Sequence, residues 1–145
     1  MWKYLAIGFG ALMIAIDVST GALTGWTRAK DAAMTEDDAR ALLQEWADDI
    51  NPRKGEHHNQ EVFMGARVDG LMLQFDYELG WAPKSFNRSA HSADALRRMQ
   101  RRFCHREIRK ALTKGGAVKY VYRDIHTKQV LFDATLRDND CGERS

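Results

Sequence analysis

VFMGARVDGLMLQFDYEL, residues 62–79, reads as two β-strands joined by a two-residue turn. Leu71, Leu73, Phe75, Tyr77 and Leu79 fall on one face of the second strand, and Gln74, Asp76 and Glu78 on the other. Side chains alternate across a strand, so this is the pattern of a sheet with one face in the core. Asp69-Gly70 between the runs is a hairpin signal, because glycine enters the tight turn without steric cost. The first strand is placed at Val62 to Val68 and the second at Leu71 to Leu79.

The segments on either side repeat the grammar of a helix followed by two strands. Upstream, Thr35 with Asp38 forms a capping box, and Glu36, Asp37 and Asp38 put negative charge at the positive end of a helix dipole. Ala39, Leu42, Leu43, Trp46, Ala47 and Ile50 recur at helical spacing up to Asn51-Pro52, where the helix must stop. Downstream, a helix is predicted over Ser92 to Lys114. Leu96, Met99, Phe103, Cys104, Ile108, Ala111 and Leu112 line its apolar face, and Gly115 ends it. Strands are predicted at Ala117 to Asp124 and Gln129 to Arg137, with His126 to Lys128 in the turn. The expected class is α+β, in the order α-β-β-α-β-β, with a four-stranded antiparallel sheet and two amphipathic helices on one face. Strand order is left open by this reading.

The chain has 145 residues and a formal charge of +2 from 22 basic and 20 acidic side chains, so no global field recruits nucleic acid or membrane. Its first 26 residues differ in kind from the rest. Lys3 precedes an apolar run of 13 residues, Tyr4 to Ile16, which Asp17 ends. That is the length of a signal-peptide core, and the small residues Val18 to Ala22 offer cleavage after Gly21 or Ala22. The rival readings are an uncleaved anchor from Tyr4 to Trp26, against which Asp17 counts, and a buried first helix of a cytosolic protein. The division is therefore 1–26 as signal peptide or N-terminal membrane anchor and 27–145 as one domain. The expected location is periplasmic or secreted, or anchored in the inner membrane with the domain outside the cytoplasm.

Two cysteines, Cys104 and Cys141, permit one disulfide, which an exported setting favours. Free thiols, or a catalytic Cys104 beside His105, are the alternatives; neighbours on a helix point about 100° apart, which places His105 poorly as a base. The segment from Cys104 through Tyr120-Val121-Tyr122-Arg123-Asp124 to Asp140-Cys141 resembles the C-terminal halves of small exported bacterial proteins. In these a helix cysteine and a terminal Asp-Cys bracket a hairpin whose first strand carries Tyr-x-Tyr. The resemblance covers about a quarter of the chain. It implies a periplasmic setting and a disulfide, and no catalytic residue.

Catalytic and metal signatures were sought by their spacing. His57 and His58 beside Glu56 sit in a polar loop, and no histidine pair has the i, i+4 spacing of a helical zinc site. Asp76 and Glu78 share a strand face, where alternating polar residues are the ordinary outcome. No metal or cofactor is expected. Charge segregation says more: Arg97, Arg98, Arg101, Arg102, Arg106 and Arg109 make the second helix basic, whereas Asp31 to Ile50 is acidic. The two helices could neutralise each other, or the arginines could meet an acidic protein or an anionic envelope component.

The leading functional expectation is a non-enzymatic periplasmic or envelope-associated binding or accessory protein, of inhibitor or immunity type, acting through the basic helix or the exposed sheet face. A small hydrolase-like enzyme using the loop histidines or Cys104 is the first alternative. A cytosolic nucleic-acid binder using the arginine-rich helix is the second, although only Phe103 interrupts that helix with an aromatic ring.

Overall fold

The computed structural model describes residues 34–80 and 87–142. The leader read at 1–26 and the loop carrying Trp81, Pro83 and Phe86 lie outside them. From Thr35 onward the described elements belong to one compact unit.

The first helix, α1 (Glu36–Ile50), begins on the capping box the sequence announces. The Thr35 hydroxyl accepts from the Asp38 amide at 3.1 Å, and the Asp38 carboxylate accepts from the Thr35 amide at 3.1 Å. Ala39, Leu43 and Ala47 form its buried stripe. The strands are β1 (His57–His58), β2 (Glu61–Asp69), β3 (Met72–Leu79), β4 (Ala117–Asp124) and β5 (Val130–Leu136). A two-residue strand at the expected polar loop makes the sheet five-stranded rather than four-stranded, in the order β1-β2-β3-β4-β5.

The expected all-antiparallel sheet is corrected at its centre, where β3 and β4 run parallel, with Phe75 opposite Tyr120 and Tyr77 opposite Tyr122. The reason lies in the connection. Helix α2 (Arg88–Phe103) has 16 residues and spans about 24 Å, close to the length of an eight-residue strand, so it carries the chain back to the end where β3 began. Each hairpin is antiparallel within itself, and the helix joins them in parallel.

The single helix expected over Ser92 to Lys114 is also corrected. It is two helices: α2, and a short α3 (Arg109–Leu112) after a turn. Phe103 and Ile108 would lie about 140° apart on a straight helix. The break rephases the chain so that both are fully buried.

Both main helices cover the same sheet face. The Phe103 ring of α2 meets Trp46 of α1 at 5.7 Å, Phe75 of β3 at 5.8 Å and Tyr120 of β4 at 6.1 Å. On the opposite face the carboxylates Asp76 and Glu78 sit in ion pairs, with Arg123 2.7 Å from Asp76 and Lys128 2.8 Å from Glu78.

The 3-10 turn Asp138–Cys141 is tied to the end of α2 by the Cys104–Cys141 disulfide, whose Cα atoms are 5.3 Å apart. Gln100 donates to the Asp140 carbonyl at 2.8 Å and Arg109 to the Gly142 carbonyl at 2.6 Å, so the tail is held by polar contacts as well. No helix among the described residues is long and apolar enough to cross a membrane.

Gly116 sits where the end of α3 and the start of β3 come close. A β-carbon there would stand 2.6 Å from the Ala111 carbonyl oxygen and 3.3 Å from that of Leu71, both backbone atoms that cannot swing away. Gly116→Ala is therefore expected to destabilise the fold by about 1–3 kcal/mol, the usual range for overpacking. The check is the urea midpoint; a change within error would mean that α3 shifts freely.

Candidate functional site

A row of four rings crosses the sheet on its helix-covered face. Phe63, Tyr77, Tyr122 and Phe132 occupy matched register positions on β2, β3, β4 and β5. Their successive centroids are 5.5, 5.0 and 4.4 Å apart, and the last two contacts are stacked at 14° and 17°. With strands about 4.8 Å apart the row is about 15 Å long. His91, from the first turn of α2, stacks on Phe132 at its far end.

Among the described residues neither helix fills the space above this row, and a trough results. Over Phe63 and Tyr77 it opens into a hollow of about 270 Å³, bounded by Ile50, His57 and Arg102. Over Tyr122, Phe132 and Leu79 it opens into a second hollow of about 380 Å³, bounded by Asn59, His91 and Asp94. His58 and Glu61 border both hollows. The lip is the β1–β2 turn, bent at Asn59 with φ of 57°, a left-handed value that asparagine tolerates better than most residues.

Two arginines one helical turn apart reach the trough from α2. Arg98 lies 3.8 Å from Glu61 and 3.6 Å from Asp94, and its guanidinium stands 5.9 Å above the Tyr122 ring. Arg102 donates to the Tyr120 hydroxyl at 3.0 Å and lies over the rings of Phe75 and Phe103 at 5.4 and 5.2 Å. Burial opposes its charge, and the Tyr120 and Tyr77 hydroxyls more than offset this, so the guanidinium is held protonated.

Burial pushes the Tyr77 and Tyr122 hydroxyls well above the ordinary phenol range, Tyr120 adding to the shift for the first and Glu61 for the second. Tyr122 is 1% exposed; its hydroxyl lies near Arg98, and among the described residues no partner meets it in full hydrogen-bond geometry. An unmet polar group this deep costs about 1–3 kcal/mol.

The Glu61 carboxyl is raised above its ordinary 4.5 by burial, against the pull of Arg98 and His58. With the folded value above the unfolded one, the unfolded chain ionises first as pH rises. The contribution to stability is then complete below about pH 4.5 and is lost as pH climbs through the folded value. Glu61→Gln cannot ionise, so its melting temperature is expected to match the wild type near pH 4 and to exceed it near pH 7. A difference independent of pH would contradict this assignment.

The six arginines singled out in the sequence do not make one face. Arg98 and Arg102 enter the trough, while Arg97 pairs with Asp94 at 3.5 Å on the helix itself. Arg101 borders a shallow depression beside the disulfide, and Arg106 is exposed past the end of α2. Arg109 is spent on Asp138 and Gly142 of the tail. Both cysteines are in the disulfide, so Cys104 is no free nucleophile. Among the described residues no three His, Cys, Asp or Glu side chains converge as a metal site.

Tyr77, Tyr122 and Glu61 were missed as site residues. A signal was present: strand alternation puts Tyr77, Tyr120 and Tyr122 on the core face, and a buried tyrosine hydroxyl needs a partner or a cavity.

No protein-family model matches the chain, and no curated protein matches it. Among solved structures, a candidate secreted protein from Pseudomonas aeruginosa shares the fold with a TM-score of 0.62 at 14% identity, over 76% of this chain and 98% of that one. EpsS, the type II secretion pilotin of Vibrio vulnificus, has a TM-score of 0.58 at 11% identity, over 75% of this chain and 96% of its own. AspS, the type II secretion pilotin of Vibrio cholerae, has a TM-score of 0.53 at 14% identity, over 73% and 94%. The chain thus shares its α+β fold with a candidate secreted protein and with two pilotins.

Proposed function

We propose that this protein is a non-enzymatic, envelope-side accessory protein of pilotin type that binds a segment of a protein partner in the trough. The observation that carries the reading is the trough itself: a ring-floored hollow surface spanning four strands, with two arginines on its wall. Concave sites with an apolar floor and a few placed polar groups are the usual form of a binding site. The disulfide suits an oxidising compartment, and the apolar leader read at 1–26 suits export. The fold shared with two secretion pilotins supports the same role.

The nucleic-acid reading loses ground because Arg98 and Arg102 are committed to the trough and Arg109 to the tail, which leaves no continuous basic face on α2. The hydrolase reading loses Cys104 to the disulfide.

The test is capture from detergent-solubilised envelopes of the native host by the immobilised full-length protein, followed by mass spectrometry. A type II secretion component is expected to be retained by the wild type and by Arg67→Ala, a substitution on the opposite sheet face, and lost by the double variant His58→Ala, Arg98→Ala. Equal capture by all three would overturn the proposal.

A further inference from the structure

Among the described residues, the carboxylates around the trough are paired with arginines. Arg53 meets Glu56 at 3.0 Å, and Arg97 and Arg98 share Asp94 and Glu61. Arg102 has the hydroxyls of Tyr120 and Tyr77 and two ring faces, but no carboxylate among the described residues. Its guanidinium borders the hollow over Tyr77, where one carboxylate could take two parallel N–H bonds. The hollow on the other side of the Glu61–Arg98 pair is different in kind. Leu79, Tyr122 and Phe132 give it an apolar floor, interrupted by the Tyr122 hydroxyl.

We propose that the trough recognises an acidic segment of the partner, in which an Asp or Glu side chain settles on Arg102 and an adjoining apolar side chain enters the hollow over Tyr122 and Phe132. This deepens the binding-protein reading and rests on it. An internal side chain is favoured over a chain terminus because a second hollow adjoins the one at Arg102, with His58 and Glu61 bordering both, so a segment engaging the two has chain on both sides of Arg102. Lysine would replace Arg102 only in part, since a point charge keeps the attraction but lacks the planar fork that a carboxylate matches.

The test uses three peptides on the full-length oxidised protein: acetyl-Ser-Glu-Leu-Leu-Phe-Ser-amide, its Gln-for-Glu counterpart, and the Gln peptide with a free C-terminal carboxylate. Titrations are followed by amide resonances. The Glu peptide is expected to move the signals of His58, Glu61 and Tyr122 saturably, with affinity on the order of tenfold above both Gln peptides. In Arg102→Gln that preference is expected to vanish, and in Arg102→Lys to be partly kept. The wild-type comparison needs no variant, so it stands even where Arg102→Gln folds poorly.

Equal binding of the Glu and Gln peptides, preference for the terminal carboxylate, or no binding at millimolar concentration would each overturn the inference. Partner capture that still depends on His58 and Arg98 would in those cases leave the accessory-protein reading standing. Capture independent of them would remove both.

Discussion

Replacing both Cys104 and Cys141 by serine is expected to lower the unfolding free energy by about 4 kcal/mol, a large share of the 5–15 kcal/mol typical of a folded domain. The disulfide closes a loop of 37 residues, from the end of α2 through β4 and β5 to the terminal 3-10 turn. On the chain-entropy account the loss falls on the unfolded state, which gains the freedom of that loop. The native state should survive the substitution, because Gln100 and Arg109 still hold the tail carbonyls and Arg109 still meets Asp138. The expected result is thus a lower urea midpoint with an unchanged native near-UV spectrum. A loss below about 1 kcal/mol would mean that the unfolded chain is already compact around that hairpin.

Phe103→Ala is expected to cost about 3–5 kcal/mol, the range for removing a buried ring without collapse of the cavity. Phe103 is fully buried and is the last residue of α2. Its ring joins α1, α2, β3 and β4, through Trp46, Phe75 and Tyr120. Truncation also removes one of the two rings beneath the Arg102 guanidinium. Phe103→Leu keeps most of the volume and is expected to cost under about 1.5 kcal/mol. Equilibrium unfolding of both variants checks the pair, and equal losses for Ala and Leu would show that ring contacts rather than volume hold this junction.

Much of the fold was legible in local chemistry. Thr35 and Asp38 named the start of α1, Asn51-Pro52 its end, and Asp69-Gly70 the first hairpin, where Gly70 indeed has φ of 59°. These features act within a few residues, so their causes are written side by side. The parallel contact of β3 and β4 was not legible, because it depends on where a helix returns the chain. The break after Phe103 was hidden for a related reason: the apolar positions fit a single helix loosely, and burial of both Phe103 and Ile108 decides against it.

The trough was the least legible feature. Its floor comes from four strands and its wall from a helix, so Phe63 and Phe132 are 69 positions apart in the chain and centroid neighbours only through Tyr77 and Tyr122. The arginine pattern singled out α2 as an element. It could not separate Arg98 and Arg102, one turn apart and facing the sheet, from Arg97, Arg101, Arg106 and Arg109, because the packing angle of the helix makes that choice.

The central claim is that the trough, and not another surface, holds the partner. Its most direct test is photo-cross-linking in intact cells with p-benzoylphenylalanine placed at Asn59 on the lip of the trough or, in a separate strain, at Thr135 on the opposite sheet face. The account predicts one discrete adduct of higher mass from the Asn59 position, and none from Thr135. An adduct from Thr135 alone would contradict it.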